Sequence, residues 1–246
     1  MRVSGLSLPP SLNNQPLSMQ LALLRPPTAG GPSQEPSLRD VTASLAEISN
    51  AGIHPDDSWV KTLEKGSPWV TSFSAKPKAL IAARGADYAE AAAEDPSLVG
   101  RRFAKGVGRQ TFSSAKNGDD AGDGSFTNSI ALCFGLVRFS FSGSFSMTGR
   151  RMTLVFEKLT VRLLRLIKLN IDIREGRGIR ALIERVRGGK RKTKKVASST
   201  TGETAATFEK RPNIYAWCFA DDTICVAQGS SGSVALWVSE AAFAKA

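Results

Sequence analysis

One histidine and three cysteines in 246 residues leave little for metal or redox chemistry. The single histidine, His54, excludes any centre that needs two imidazoles. Cys133, Cys218 and Cys225 are too few and too scattered for a disulfide framework and form no CxxC pair, which favours a reduced compartment. Long apolar runs are missing too. The longest uncharged stretch near the start, residues 3–24, contains Pro9, Pro10, Pro16, Asn13 and Asn14, whose polar groups hydrocarbon would leave unsatisfied. It has no signal-peptide core. Acids are absent from the first 34 residues, which are rich in Ser, Leu and Pro and carry two Arg. That is the composition of an organelle transit segment, and equally of a disordered tail, so residues 1–35 are expected to be one or the other.

Catalytic motifs are also lacking. Gly106-Val-Gly108 is two thirds of a dinucleotide fingerprint, with no third glycine and no βαβ context. Gly189-Lys190 is followed by Arg191 where a phosphate loop needs Ser or Thr. Asp119, Asp123 and Gly124 imitate a calcium loop, but Ala121 and Ile130 stand where two ligands belong. His54 precedes a proline in a turn-rich stretch, and no GxSxG elbow supplies a nucleophile for it. Asp221-Asp222 could be an acid/base pair, yet both lie where a hairpin must turn, a place Asp favours. No catalytic residue and no metal or cofactor is expected.

What is present is a globular composition, 41% hydrophobic and 22% charged, with a strong period of two. From Leu136 to Thr148, Val137, Phe139, Phe141, Phe145 and Met147 fall on one side. Arg138, Ser140, Ser142, Ser144, Ser146 and Thr148 fall on the other. Gly143 interrupts the apolar row and predicts a bend or bulge. Met152, Leu154 and Phe156 alternate again. The phase slips at Glu157-Lys158, and Leu159 to Ile173 hold the opposite parity. The stretches 214–219, 223–228 and 233–239 read as three more strands, joined by turns at Asp221-Asp222 and Gly229 to Gly232. Earlier in the chain, 69–74 reads as a strand and 97–112 as two weak ones. A helix is expected from Ser37, with Asp40 as capping partner and Leu38, Val41, Leu45 and Ile48 on one face, and another over 86–95. Residues 117–124 read as an acidic glycine loop. About eight strands in meander order favour a closed antiparallel barrel, because closure removes exposed edges. Such a barrel holds a small apolar ligand or fills itself with side chains.

Charge is concentrated in one place. Residues 174–195 hold ten basic and two acidic residues, a net +8 of the chain's +11. Ile179, Leu182, Ile183 and Val186 recur at helical spacing, with Arg180 and Arg185 on the other face and Lys190, Arg191 and Lys192 following. A basic amphipathic helix of this kind suits an anionic membrane surface, each cation contributing about 1 kcal/mol. The alternatives are a cap on an open barrel end, with the cations solvated, or contact with nucleic acid or protein. The absence of aromatics between Arg174 and Thr207 disfavours single-stranded nucleic acid.

The stretch YAWCFADDTICVAQGSSGSVALWV, residues 215–238, resembles the C-terminal signature of the plastid lipid-associated proteins, or fibrillins. Asp221, Asp222, Ile224, Val226, Gly229 and Gly232 carry the match. Upstream, Gly66-Ser-Pro-Trp69 resembles the family's opening strand, and residues 139–163 resemble its central strand pair. Two arginines usual in the last hairpin are replaced by Cys225 and Gln228, and the basic insertion, about residues 174–211, is long.

The resemblance implies a mainly β, lipocalin-like barrel over residues 36–240, and a chloroplast address at thylakoids or plastoglobules. It implies non-catalytic binding of a prenylquinone, carotenoid or similar apolar lipid. The expected ligand wall is Phe139, Phe141, Phe145, Leu154 and Phe156. The expected membrane-surface residues are Ile179, Arg180, Leu182, Ile183, Arg185, Val186, Lys190, Arg191 and Lys192. A structural or assembly protein, whose basic loop contacts a photosynthetic membrane complex, is the alternative.

Overall fold

The computed structural model describes residues 16–26, 36–51, 58–104, 108–115, 122–164, 166–173 and 213–244. His54 and the expected membrane-surface residues, Ile179 to Lys192, lie outside the described residues.

Among the described residues, ten strands form one sheet. They are β1 (Trp69–Ala75), β2 (Arg101–Arg102), β3 (Gly108–Ser114), β4 (Asp123–Leu132), β5 (Val137–Thr148), β6 (Arg151–Leu163), β7 (Ile167–Asp172), β8 (Asn213–Ala220), β9 (Ile224–Gly229) and β10 (Val234–Ser239). The last strand pairs with the first, Trp69 opposite Ser239 and Ala75 opposite Val234, so eight strands close an antiparallel barrel. Their order around the wall is β1, β3, β4, β5, β6, β8, β9, β10. β2 adds to the end of β1, and β7 adds to β6 outside the ring.

Among the described residues six α-helices accompany the barrel: α1 (Leu17–Leu24), α2 (Leu38–Ala51), α3 (Trp59–Lys65), α4 (Pro77–Ala82), α5 (Tyr88–Glu94) and α6 (Glu240–Phe243). The Ser37 hydroxyl donates to Asp40 and accepts from its amide, the local capping that starts α2. Val41, Leu45 and Ile48 are buried as their spacing predicts, while Leu38 stays exposed. α2, α4 and α5 pack on the outer face of β1, β8, β9 and β10, against Phe73, Phe219, Val226 and Leu236.

Four helices, α1, α3, α4 and the short α6, were not legible in the sequence. Residues 17–24, expected to lie in an unstructured tail, form α1; Leu24 is buried and Arg25 pairs with Asp221 at 2.6 Å. α4, opened by Pro77, also went unread. α3, capped by Ser58, turns Trp59, Val60 and Leu63 into the barrel end. There the Trp69 indole donates to the Leu63 carbonyl at 2.7 Å, and Glu64 accepts from the Ser114 hydroxyl at 2.7 Å. That end of the barrel is therefore stoppered by the chain itself.

All three cysteines are free thiols. Cys218 and Cys225 are buried in the wall, and burial pushes both thiols up, Cys225 the further. Cys133 is exposed. Alkylation of the folded protein at pH 8 is expected to modify one thiol promptly and the other two only in denaturant; prompt modification of all three would contradict a closed wall.

Candidate functional site

The inside of the barrel follows from period two and one bulge. β5 and β6 pair along their whole lengths, from Val137 opposite Leu163 to Thr148 opposite Arg151. The register shifts between Ser142 and Gly143, where Glu157 is the extra residue on β6. Both sequence signals, the glycine and the phase slip, mark this one irregularity. Its effect is to keep Leu154, Phe156, Leu159 and Val161 on the same face despite the change of parity. Gly143 sits opposite Phe156, and a side chain at Gly143 would run into the Val155 carbonyl. Over the space this leaves, Phe126 and Phe156 meet edge to face at 5.1 Å.

At the stoppered end the inside is filled. Phe112 stands edge-on to Phe145 at 5.8 Å and to Trp217 at 5.7 Å, and Trp217 leans on Trp237 at 5.8 Å. Met152, Leu154 and Trp69 complete this core. The expected ligand wall is accordingly divided. Phe145 and Leu154, opposite each other across β5 and β6, are core residues that support the fold. Phe139, Phe141 and Phe156 are only partly buried. They lie farther along the same face, towards the other end, where Phe141 meets Phe156 at 5.8 Å. Parity reveals which side chains point inward, but packing decides which of them could touch a ligand.

Beyond Phe156 the wall leaves the barrel. β6 pairs with β8 only over Arg151–Leu154 and with β7 over Lys158–Leu163. β7 and β8 run in the same direction along one edge of β6, and residues 174–212 join them there. The chain departs beside the bulge, where the Ile173 amide donates to the Glu157 carbonyl at 2.9 Å, and returns at Asn213 opposite Leu154. The basic insertion is thus rooted next to Phe156, at the open end.

The splayed part of β4 to β7 extends the inner, apolar face into solvent. Across it run Ile130, Phe139, Val161 and Leu169, then Leu132, Val137, Leu163 and Ile167, each aligned strand to strand. Ile130, Leu132, Ile167 and Leu169 are exposed. The turns at the tip add Leu136, Leu164 and Leu166, the last 87% exposed. A contiguous apolar surface of this kind marks a site of interaction.

Two polar groups inside the barrel stand out. The Gln110 amide nitrogen and the Trp217 indole nitrogen are buried with no hydrogen-bond partner among the described residues. A buried donor left unpaired costs about 1–3 kcal/mol. Gln110 lies in the cross-strand row of Asn128 and Phe141. Tyr215, on the inner face of β8, has its phenol pKa raised by burial. Gln110 carries no motif, and only the register of β3 reveals that it points inward.

The other candidates resolve as structure. Asp221 accepts from the Thr223 amide at 2.7 Å, the Thr223 hydroxyl at 2.7 Å and the Ile224 amide at 2.8 Å, which makes it the turn former of the β8–β9 hairpin. Gln228 donates to the Gly232 carbonyl and so braces the next turn. Among the described residues, no group of three His, Cys, Asp or Glu is placed to hold a metal. No helix among them is long and apolar enough to cross a membrane. The chain matches no family profile, no curated protein and no solved structure.

A pair of substitutions separates core from exposed wall. Phe126→Ala is expected to cost about 3–5 kcal/mol in denaturant unfolding. Leu166→Ser is expected to change stability by no more than about 0.5 kcal/mol.

Proposed function

We propose that this protein is a non-catalytic lipid binder that holds an apolar lipid against the wall running from the barrel mouth onto the splayed strands. The observation that carries this reading is the continuity of one apolar face, from Phe156 and Phe141 inside the mouth to Phe139, Val161 and Leu169 outside it. Contact with lipid would remove that surface from water, at up to about 1.5–3 kcal/mol for each side chain fully covered. The unpaired donor of Gln110 supports a ligand that brings a carbonyl or hydroxyl oxygen to the mouth. A prenylquinone combines such oxygens with an apolar tail, and the sequence resemblance to the plastid lipid-associated proteins favours that class and a thylakoid or plastoglobule setting. The insertion rooted beside Phe156 would bring its cations to an anionic membrane at the same end, which makes the attachment peripheral and reversible.

The reading is tested by extracting the purified protein with organic solvent, and by titrating the delipidated protein with a short-chain prenylquinone while following tryptophan fluorescence. Saturable quenching is expected, because Trp217 and Trp237 belong to the aromatic core inside the same barrel, with Trp237 edge-on to Tyr215 at 6.2 Å. Neither co-extracted lipid nor saturable quenching would sink the proposal. Gln110→Leu provides a test of opposite signs. Removing an unpaired buried donor is expected to raise unfolding stability by about 1–3 kcal/mol while lowering quinone affinity. Greater stability with unchanged affinity would remove Gln110 from the site.

A further inference from the structure

The splayed strands have a second face, the continuation of the barrel's outer surface. Period two places every polar partner of the apolar rows there. Arg138 on β5 stands directly opposite Arg162 on β6, and Arg162 directly opposite Lys168 on β7. In the adjacent row Ser140 stands opposite Thr160. Together with Arg109 these residues line a groove of about 300 Å³ on the sheet surface.

Three cations in register on neighbouring strands repel one another, since like charges directly opposite destabilise a sheet. Arg109 is neutralised by Glu240 at 2.6 Å. Arg138, Arg162 and Lys168 have no acidic partner among the described residues. The acid that follows along β7, Asp172, stands opposite Lys158 and not opposite any of the three. Lysine on an edge strand commonly blocks pairing with another chain, and β7 is such an edge, so Lys168 alone would need no other explanation. Arg138 and Arg162 lie on interior strands of the splayed sheet, where there is no edge to protect. A guanidinium pair with a hydroxyl row behind it suits an oxyanion, because arginine offers two parallel N–H donors to a phosphate or sulfate group and Ser140 adds a hydroxyl. With strands about 4.8 Å apart, the three charges span about 10 Å, the reach of one or two such groups.

We propose that Arg138, Arg162 and Lys168 form a binding site for a tetrahedral oxyanion, a phosphate or sulfate group, on the face of the splayed sheet opposite its apolar wall. The site stands independently of the lipid reading, because it uses the other set of side chains on the same strands. The group could arrive on a free metabolite or on the headgroup of an anionic lipid, and two arms of one experiment tell these apart.

In the first arm, inorganic phosphate and pyrophosphate are titrated into the full-length protein at low ionic strength by calorimetry and thermal shift. In the second, the protein is sedimented with vesicles of phosphatidylcholine with and without phosphatidylglycerol. Each is read on the wild type, on Arg138→Gln/Arg162→Gln, and on Lys190→Gln/Arg191→Gln/Lys192→Gln, which lowers the charge of the insertion while sparing the sheet. A loss of at least tenfold in anion affinity is expected for the arginine pair, with the insertion variant within about twofold of wild type. Without anion the arginine pair is expected to melt no lower than wild type, since it removes a repulsion, and phosphate is expected to raise the melting temperature of wild type and of the insertion variant but not of the arginine pair. The same ordering seen with vesicles alone would support the site and identify its ligand as a headgroup. Binding in both arms that is unchanged in the arginine pair, or lost only in the insertion variant, would overturn it. Quinone quenching, followed on the same variants, reports on the apolar wall and is expected to be unchanged.

Discussion

The pairing of β1 with β10 is the constraint on which the rest depends. It places the earliest strand of the sheet between β10 and β3 and turns an open meander into a tube with an inside. Without it, Trp69 and Trp237 would lie at two frayed edges. With it, Trp69 is wholly buried and its indole holds α3 across the end of the barrel. Closure also decides where the helices go. The outer face of β8, β9, β10 and β1 is as apolar as the inner one, so α2, α4 and α5 must cover it, and a second core results. The opposite wall, β3 to β6, has serine, threonine and charge outside and needs no cover.

A closed barrel needs strands of matched length, and β4, β5 and β6 are longer than their neighbours. The surplus leaves the ring as a splayed sheet that keeps the alternation of the wall it came from. One bulge, opposite Gly143, lets β6 exchange β8 for β7 without turning its apolar residues outward. The result is a two-faced apron with leucine and isoleucine on one side and arginine, lysine and hydroxyls on the other. Neither face is satisfied within the described residues. Exposed leucines weaken solubility, and aligned cations weaken the sheet. Both costs make sense together if each face meets a ligand or surface of its own kind.

Much of this was legible from residue order alone. The alternation of Val137, Phe139 and Phe141 with Arg138, Ser140 and Ser142 yields a strand and its inner face directly, and the slip at Glu157 yields the bulge. The turns at Asp221 and Gly229 are where hairpin chemistry puts them. β4 was missed, because its sequence DGSFTNSIAL opens on residues that also suit a loop and has one large aromatic to mark the inner side. α3 was missed because seven residues are too few for a helical period to emerge, and α1 because prolines flank it. The break between β6 and β7, after Leu163 and before Ile167, sits inside an apolar run and gives no sign of itself.

Residue order by itself determined which side chains share a face, since a strand's period of two is a property of the backbone and needs no partner. Only the tertiary structure decided what each face meets. Phe145 and Phe139 have the same parity on the same strand. One is sealed among aromatic rings and the other looks out of the mouth, because the distance across a barrel and the end at which it is stoppered depend on strands and a helix far away in the chain. Likewise Arg138, Arg162 and Lys168 are three unrelated cations until hydrogen-bonded register sets them side by side.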